Sequence, residues 1–337
     1  MLPIFRIGRR CAAATILGAL AVGCSAAGTQ APPSAPVAAQ AGAQRTLSEN
    51  RAFANGFGHA EASRSSARGW LSPEARRKRK KTLFYWGNFD TSTITILSSS
   101  GKQEGQITTD LSNPERLFVD KHGDVYATNL GNDTITAYKA GQTSPFLTIS
   151  SGVDTPTGLT VDAAGTVYCA NVGNDTITVY PKGKTSPSLT IPTASSPEYL
   201  ATDAKDNLYA QIGLGVVEFA PGSTSGKTLN LNVVSPGALE VDKSGNIIVV
   251  DDGVPSIDYI PAGQSNPSKK IAVTSGSPFS LSLSGNEKTL YVSVDSNTGP
   301  FIVQSVPYPS GSSLSNKFTP NVGDWPIAVS PDNVLGG

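Results

Sequence analysis

The chain has 337 residues, with 26 basic and 26 acidic side chains that cancel to no formal charge, and it contains 34 Gly, 24 Pro, 3 Cys and 1 Met. Only 15% of residues are charged and 38% are hydrophobic, which excludes a long charged helix or a coiled coil, while the load of Gly and Pro favours short strands joined by turns. An all-β protein is expected.

Residues 1–24 carry Arg6, Arg9 and Arg10, an apolar run from Cys11 to Val22, and then Gly23-Cys24. The run is shorter than the roughly 20 residues that cross a bilayer as a helix, so the segment reads as a secretory signal. Leu20-Ala21-Val22-Gly23-Cys24-Ser25 resembles a bacterial lipobox, with Ala21 where Leu is usual. The resemblance implies that Cys24 is the lipidation site and the mature N-terminus, and that the protein is lipid-anchored at the outer membrane, in the periplasm or on the cell surface. The alternative is an ordinary cleaved signal with an incidental Cys. Arg9-Arg10 is not followed by a twin-arginine pattern. Export limits the partners to the membrane, reached through the anchor, and to envelope polysaccharide or protein; no nucleic acid is expected, and the protein is expected to be a monomer.

With Cys11 in the signal and Cys24 at the processing site, Cys169 is the one thiol left for the mature domain. It lies in an apolar strand pattern, and the chain has only His59 and His122 to activate a nucleophile. A small buried hydrophobe is the expectation.

Residues 25–81 are rich in Ala, Pro, Ser, Gly, Gln and Arg, without a sustained period, and end in Arg76-Arg77-Lys78-Arg79-Lys80-Lys81. This composition reads as a disordered linker with a basic end. The zero net charge hides a split: residues 1–81 hold 13 basic and 3 acidic side chains (+10), and residues 82–337 hold 13 basic and 23 acidic (−10). A cationic arm of this kind serves either as a solubilising tether or as a contact for anionic headgroups, phosphates or the domain itself.

From residue 83 a unit of about 42 residues recurs six times. Its apolar marker is Leu83-Phe84-Tyr85, Val125-Tyr126-Ala127, Val167-Tyr168-Cys169, Leu208-Tyr209-Ala210, Ile247-Ile248-Val249 and Leu290-Tyr291-Val292. A second marker stays in phase with it: Pro114, Pro156, Pro197, Pro236, Pro278 and Pro326, each opening another apolar strand. One unit has room for four short strands, placed at 124–129, 134–138, 146–149 and 157–162 with Gly, Pro, Asn and Asp in the gaps. Four-stranded antiparallel sheets at this period indicate a six-bladed β-propeller over 83–332, followed by a tail at 333–337. The first unit begins on its second strand and the last ends on Ile327-Ala328-Val329, so the C-terminal strand should complete the N-terminal blade as its innermost strand.

The stretches Gly123 to Ile135 and Gly165 to Ile177 closely match the pattern G-(N/T)-(V/L)-Y-(V/A)-(A/T)-N-x-G-N-(D/N)-T-(I/V). Here the chain resembles NHL-type six-bladed propellers, the gluconolactonase-like sugar-lactone hydrolases and YVTN-type surface repeats. The resemblance covers about three quarters of the chain and implies architecture, since propellers host hydrolases, lyases, binding modules and scaffolds alike.

Asp120, Asp162, Asp203 and Asp242 recur before Gly or Asp turns and read as turn-forming side chains, as do Asn132-Asp133 and Asn174-Asp175. The informative residues are those that do not repeat. Loops entering the innermost strand and leaving the second strand share one face, which brings Glu115, Arg116, Asn171, Glu198, Tyr199, Asp251 and Trp325 to the mouth of the channel. Acids and amides there suit Ca²⁺, another divalent cation or a polyhydroxylated ligand, with Tyr199 and Trp325 able to stack on a sugar. The lactone-hydrolase resemblance implies a Glu-Gly-Pro ligand, but Glu115 follows Pro114 and no such tripeptide exists; Asn171 and Asp251 match by location alone. The reading is a ligand-binding or protein-interaction propeller without catalysis, and the alternative is a divalent-metal-dependent hydrolase of lactones or sugar-derived substrates.

Overall fold

The computed structural model describes residues 82–296, 299–320 and 327–329. The signal, the linker, Cys24, Trp325 and the tail at 333–337 lie outside these residues. The chain divides into two units, Met1–His59 and Ala60–Gly337, and all that follows concerns the second.

The described residues form 24 strands in six four-stranded antiparallel sheets, with no helix. Blade 1 contains β1 (Leu83–Asn88), β2 (Thr93–Ser98) and β3 (Gln103–Ile107); blade 2 is β4 (Pro114–Val119), β5 (Val125–Asn129), β6 (Thr134–Tyr138) and β7 (Pro145–Ile149). Blade 3 is β8 (Pro156–Val161), β9 (Val167–Asn171), β10 (Thr176–Tyr180) and β11 (Leu189–Pro192); blade 4 is β12 (Pro197–Thr202), β13 (Leu208–Ile212), β14 (Gly215–Phe219) and β15 (Gly226–Leu229). Blade 5 is β16 (Pro236–Val241), β17 (Ile247–Asp251), β18 (Ser256–Ile260) and β19 (Lys269–Ala272); blade 6 is β20 (Ser277–Leu283), β21 (Thr289–Asp295), β22 (Ile302–Pro307) and β23 (Ser315–Phe318). The last strand, β24 (Ile327–Val329), pairs with β1 as the innermost strand of blade 1. The ring therefore closes through the two ends of the repeat array, and no inner sheet edge is left open.

The strands expected at 124–129, 146–149 and 157–162 stand at Val125–Asn129, Pro145–Ile149 and Pro156–Val161. A proline at the first position of a strand loses no ladder bond, so Pro156 opens β8. The strand stops before Asp162, whose N–H turns away to donate to the Thr166 carbonyl at 3.1 Å.

Each sheet packs between two neighbours, so its second strand is buried on both faces. VYATN of β5, VYCAN of β9 and IIVVD of β17 are buried at every residue, which is why these segments are apolar without strict alternation. Cys169 sits in this position, fully buried, and burial raises its thiol pKa well above the ordinary value. Each of six apolar clusters fills one interface between blades. The closing interface is aromatic: Phe84 meets Tyr291 and Phe318 edge-on at 4.9 and 5.0 Å. Outermost strands are exposed, and Lys227, Lys269, Lys270 and Lys317 on them discourage edge-to-edge pairing.

Candidate functional site

Five innermost strands contain a proline at or near their start, and in each the register with the second strand slips just after it. A bulge leaves a residue unpaired and re-aims its side chain. The residues released are Glu115, Thr157, Glu198, Gly237 and Phe279, one per blade around the channel mouth. Just inside, Arg116, Tyr199, Ala238 and Ser280 line the channel itself. Gly158 has no side chain there because a Cβ would lie 2.6 Å from the Glu198 carbonyl oxygen; the inner strands of blades 3 and 4 meet backbone to backbone.

Arg116 is the single arginine after Arg79. Its guanidinium carbon lies 4.4 Å from the centre of the Tyr199 ring, a cation–π contact across the channel between blades 2 and 4. The Arg116 Nε is buried without a hydrogen-bond partner. Burial raises the Tyr199 hydroxyl pKa, Arg116 opposes that shift, and Asp252 and Glu198 add to it. Asp252, on the loop leaving β17, has its carboxyl pushed up to about 6, first by desolvation and then by the charges of Asp251 and Glu198. A Cβ at Gly237 would lie 2.6 Å from Asp252 Oδ2, so the missing side chain makes room for that carboxylate.

Below the mouth the channel is nearly filled. Its cavity is about 50 Å³, walled by Arg116, Phe118, Thr160, Tyr199, Glu240 and Ser280 among others. Small-molecule pockets usually enclose roughly 300–1,000 Å³, so any ligand larger than a few waters must rest on the mouth. Glu240 faces this cavity, and burial pushes its carboxyl up to about 8 against a hydrogen bond from the Leu283 backbone.

Of the expected site residues, the structure brings Arg116 and Tyr199 together, with the charge of Glu198 felt beside them, and sets Glu115 on the blade 2 bulge. It withdraws two. Asn171 is fully buried; its Oδ1 accepts from Asp154 N at 3.0 Å, and its Nδ2 donates to Thr176 and Thr178 Oγ1 at 3.3 and 3.0 Å. Asn129 makes the same set of bonds in blade 2. Asp251 is also fully buried, and accepts from Val234 N and Ser235 N at 3.1 Å each. These side chains turn inward at the end of the second strand and clamp the loop that enters the innermost strand of their own blade. A ligand on the mouth does not reach them. Sequence reasoning places Asp252 beside Asp251 on the loop leaving the second strand without giving it a role, and it misses Glu240.

The opposite face repeats. In four turns one Asp oxygen accepts two backbone N–H groups: His122 and Asp124 on Asp120, Ala164 and Thr166 on Asp162, Lys205 and Asn207 on Asp203, Ser244 and Asn246 on Asp242, all at 2.8 or 2.9 Å. The reading of these aspartates as turn residues agrees with this geometry. Two open clefts of about 480 Å³ lie between such turns, one beside Lys121 and His122 and the other beside Lys205 and Lys243. Among the described residues no three His, Cys, Asp or Glu side chains are placed to hold a metal ion.

No family model matches the chain, and no curated protein matches it either. Solved structures share the fold. A chain of a nidogen/laminin complex is 19% identical over 75% of this chain and 99% of its own length, with a TM-score of 0.64. A streptogramin B lyase is 13% identical over 75% and 83%, with a TM-score of 0.55. Kuenenia stuttgartiensis hydrazine synthase is 15% identical over 62% of this chain and 66% of its own, with a TM-score of 0.52. At these identities the likeness establishes the propeller and leaves its use open.

Proposed function

We propose that the protein is an exported β-propeller, anchored to a membrane through an acylated Cys24, that binds a ligand or partner on the channel-mouth face without turning it over. The observation that carries the binding half is the contrast between the faces. One repeats the same Asp turn four times with the same hydrogen bonds; the other presents Glu from the bulges of blades 2 and 4 but Thr157, Gly237 and Phe279 from those of blades 3, 5 and 6, with Arg116, Glu198, Tyr199 and Asp252 gathered across blades 2, 4 and 5. A fold requires the first and does not require the second. Lipid anchoring rests on the sequence at Cys24.

The hydrolase alternative is less well supported. Asn171 and Asp251, the residues that matched its metal ligands by location, are committed to loop backbone, and the filled channel offers no enclosed substrate pocket.

The test is a thermal-shift screen of the purified protein over sugars, lactones, cell-wall fragments and peptides, run beside metal analysis, because a ligand that binds the folded state raises its apparent stability. Glu198→Gln with Asp252→Asn should abolish the shift given by any hit. A hit that survives this pair and is lost in Lys121→Ala with Lys205→Ala places the site on the other face.

A further inference from the structure

The loops that leave the second strands and enter the innermost strands all emerge on the mouth face. Among the described residues these loops hold Asp90, Asp110, Asp133, Asp154, Asp175 and Asp252 and not one Lys, Arg or His. The loops of the opposite face hold eight lysines, Lys121, Lys205 and Lys243 among them, against seven acids. The loops of the disc are therefore polarised, uniformly acidic on the mouth side around the Arg116 guanidinium of the channel.

Apolar exposure follows the same division. Four large hydrophobic side chains are exposed among the described residues, and three lie on this face in blades 4 and 5: Leu214 at 80%, Val234 at 67% and Val254 at 53%. In the sister repeats their places are polar. Val254 stands where blades 2 and 3 have Asn132 and Asn174, and Val234 where they have Ser112 and Asp154. The correspondence is structural as well as sequential, since Ser112 N, Asp154 N and Val234 N each donate to the last residue of the neighbouring second strand. Val234 lies against Gly253, where a Cβ would meet its Cγ1 at 2.6 Å, so it rests on the turn that carries Asp252 and Val254. A single exposed apolar side chain means little; three at polar positions of one repeat array, within the same acidic set of loops, have a common use.

We propose that the mouth face over blades 4 and 5 docks a protein segment carrying Lys or Arg next to apolar side chains. The aspartate ring attracts and orients the cations, and Leu214, Val234 and Val254 supply the short-range apolar contact. This deepens the binding reading above and rests on it. Cations alone gain little in salt, and apolar side chains alone would not explain the excluded lysines.

The experiment uses the full chain and short fluorescein-labelled peptides of alternating Lys and Leu, with Lys/Gly and Glu/Leu peptides as controls, followed by anisotropy. The variant Leu214→Asn, Val234→Ser, Val254→Asn installs residue types the sister repeats already use, so the fold is kept. The Lys/Leu peptide should bind best, lose about tenfold or more in affinity with the triple variant, and weaken with Asp252→Asn. Equal binding to wild type and triple variant, or equal binding of the Glu/Leu peptide, overturns the proposal. So does a comparable gain in affinity when Arg76, Arg77, Lys78, Arg79, Lys80 and Lys81 are all changed to Gln, which identifies the chain's own basic segment as the occupant, or dimerisation abolished by the triple variant, which identifies a second copy. A screen hit that needs Glu198 and ignores the triple variant refutes this inference alone, whereas one that needs Lys121 and Lys205 refutes the binding reading with it.

Discussion

Lys270 on the outermost strand of blade 5 donates to Asp258 on the neighbouring strand at 2.6 Å, directly across the ladder. The same ammonium stands 3.9 Å from Asp251, and both carboxylates are fully buried. Blades 2 and 3 solve this position without charge: Asn129 donates to Thr134 and Thr136, and Asn171 to Thr176 and Thr178. Blade 5 has exchanged three neutral residues for two acids and a lysine, a set in which each change depends on the others. Lys270→Thr should therefore leave two buried carboxylates uncompensated and destabilise the domain by roughly 3 kcal/mol, the low end for a broken buried pair because the lysine is half exposed. The triple change Asp251→Asn, Asp258→Thr, Lys270→Thr should come within about 1 kcal/mol of wild type, since it restores the sister network. Urea denaturation midpoints decide between additive and compensating behaviour.

Glu240 gives a pH dependence with a defined sign. Its folded pKa, about 8, lies above its ordinary value of 4.5, so the native state holds a proton that the unfolded chain releases. The stability associated with this proton is complete below pH 4.5 and is lost as pH rises through about 8. Glu240→Gln should match wild type in melting temperature at pH 4 and exceed it at pH 9. Parallel curves for the two proteins across that range would show that the carboxyl is not buried as described.

The repeated turns supply the control for fold against function. Asp162→Ala removes the acceptor of two backbone N–H groups and should cost on the order of 1–3 kcal/mol. It should leave the affinity of any mouth-face ligand unchanged, read by titration below the melting temperature.

The six blades and their closure were legible because the two markers stay in phase along the whole array, and one sheet must serve every unit. Glu115 and Glu198 were legible for a related reason: each directly follows the proline that opens an innermost strand, where a bulge frees a side chain. Asn171 and Asp251 misled because a polar residue at a strand end looks the same whether it points to solvent or folds back on the loop that enters its own blade; three-dimensional direction decides it, and here the N–H groups of that loop capture them. The blade 5 ion set is carried by residues up to 19 positions apart and shows itself only when the repeats are compared position by position. Glu240 hides in an apolar strand, and its sole signal is an acid at an inner position where blades 2 and 3 place Phe118 and Thr160.

Cys24→Ala should transfer the protein from the membrane fraction to the soluble one, because acyl chains supply far more membrane affinity than a basic segment. Attachment that survives the change and is released by high salt would instead assign anchoring to Arg76 through Lys81.

The most direct test of the binding account is a hydrogen-exchange difference map of the intact protein with and without the strongest hit of the thermal-shift screen. Slowed exchange should fall on the loops at 111–115, 195–199, 233–237 and 252–255, which surround the mouth. Protection confined to the turns at 120–124, 162–166, 203–207 and 242–246, with the mouth loops unchanged, contradicts it.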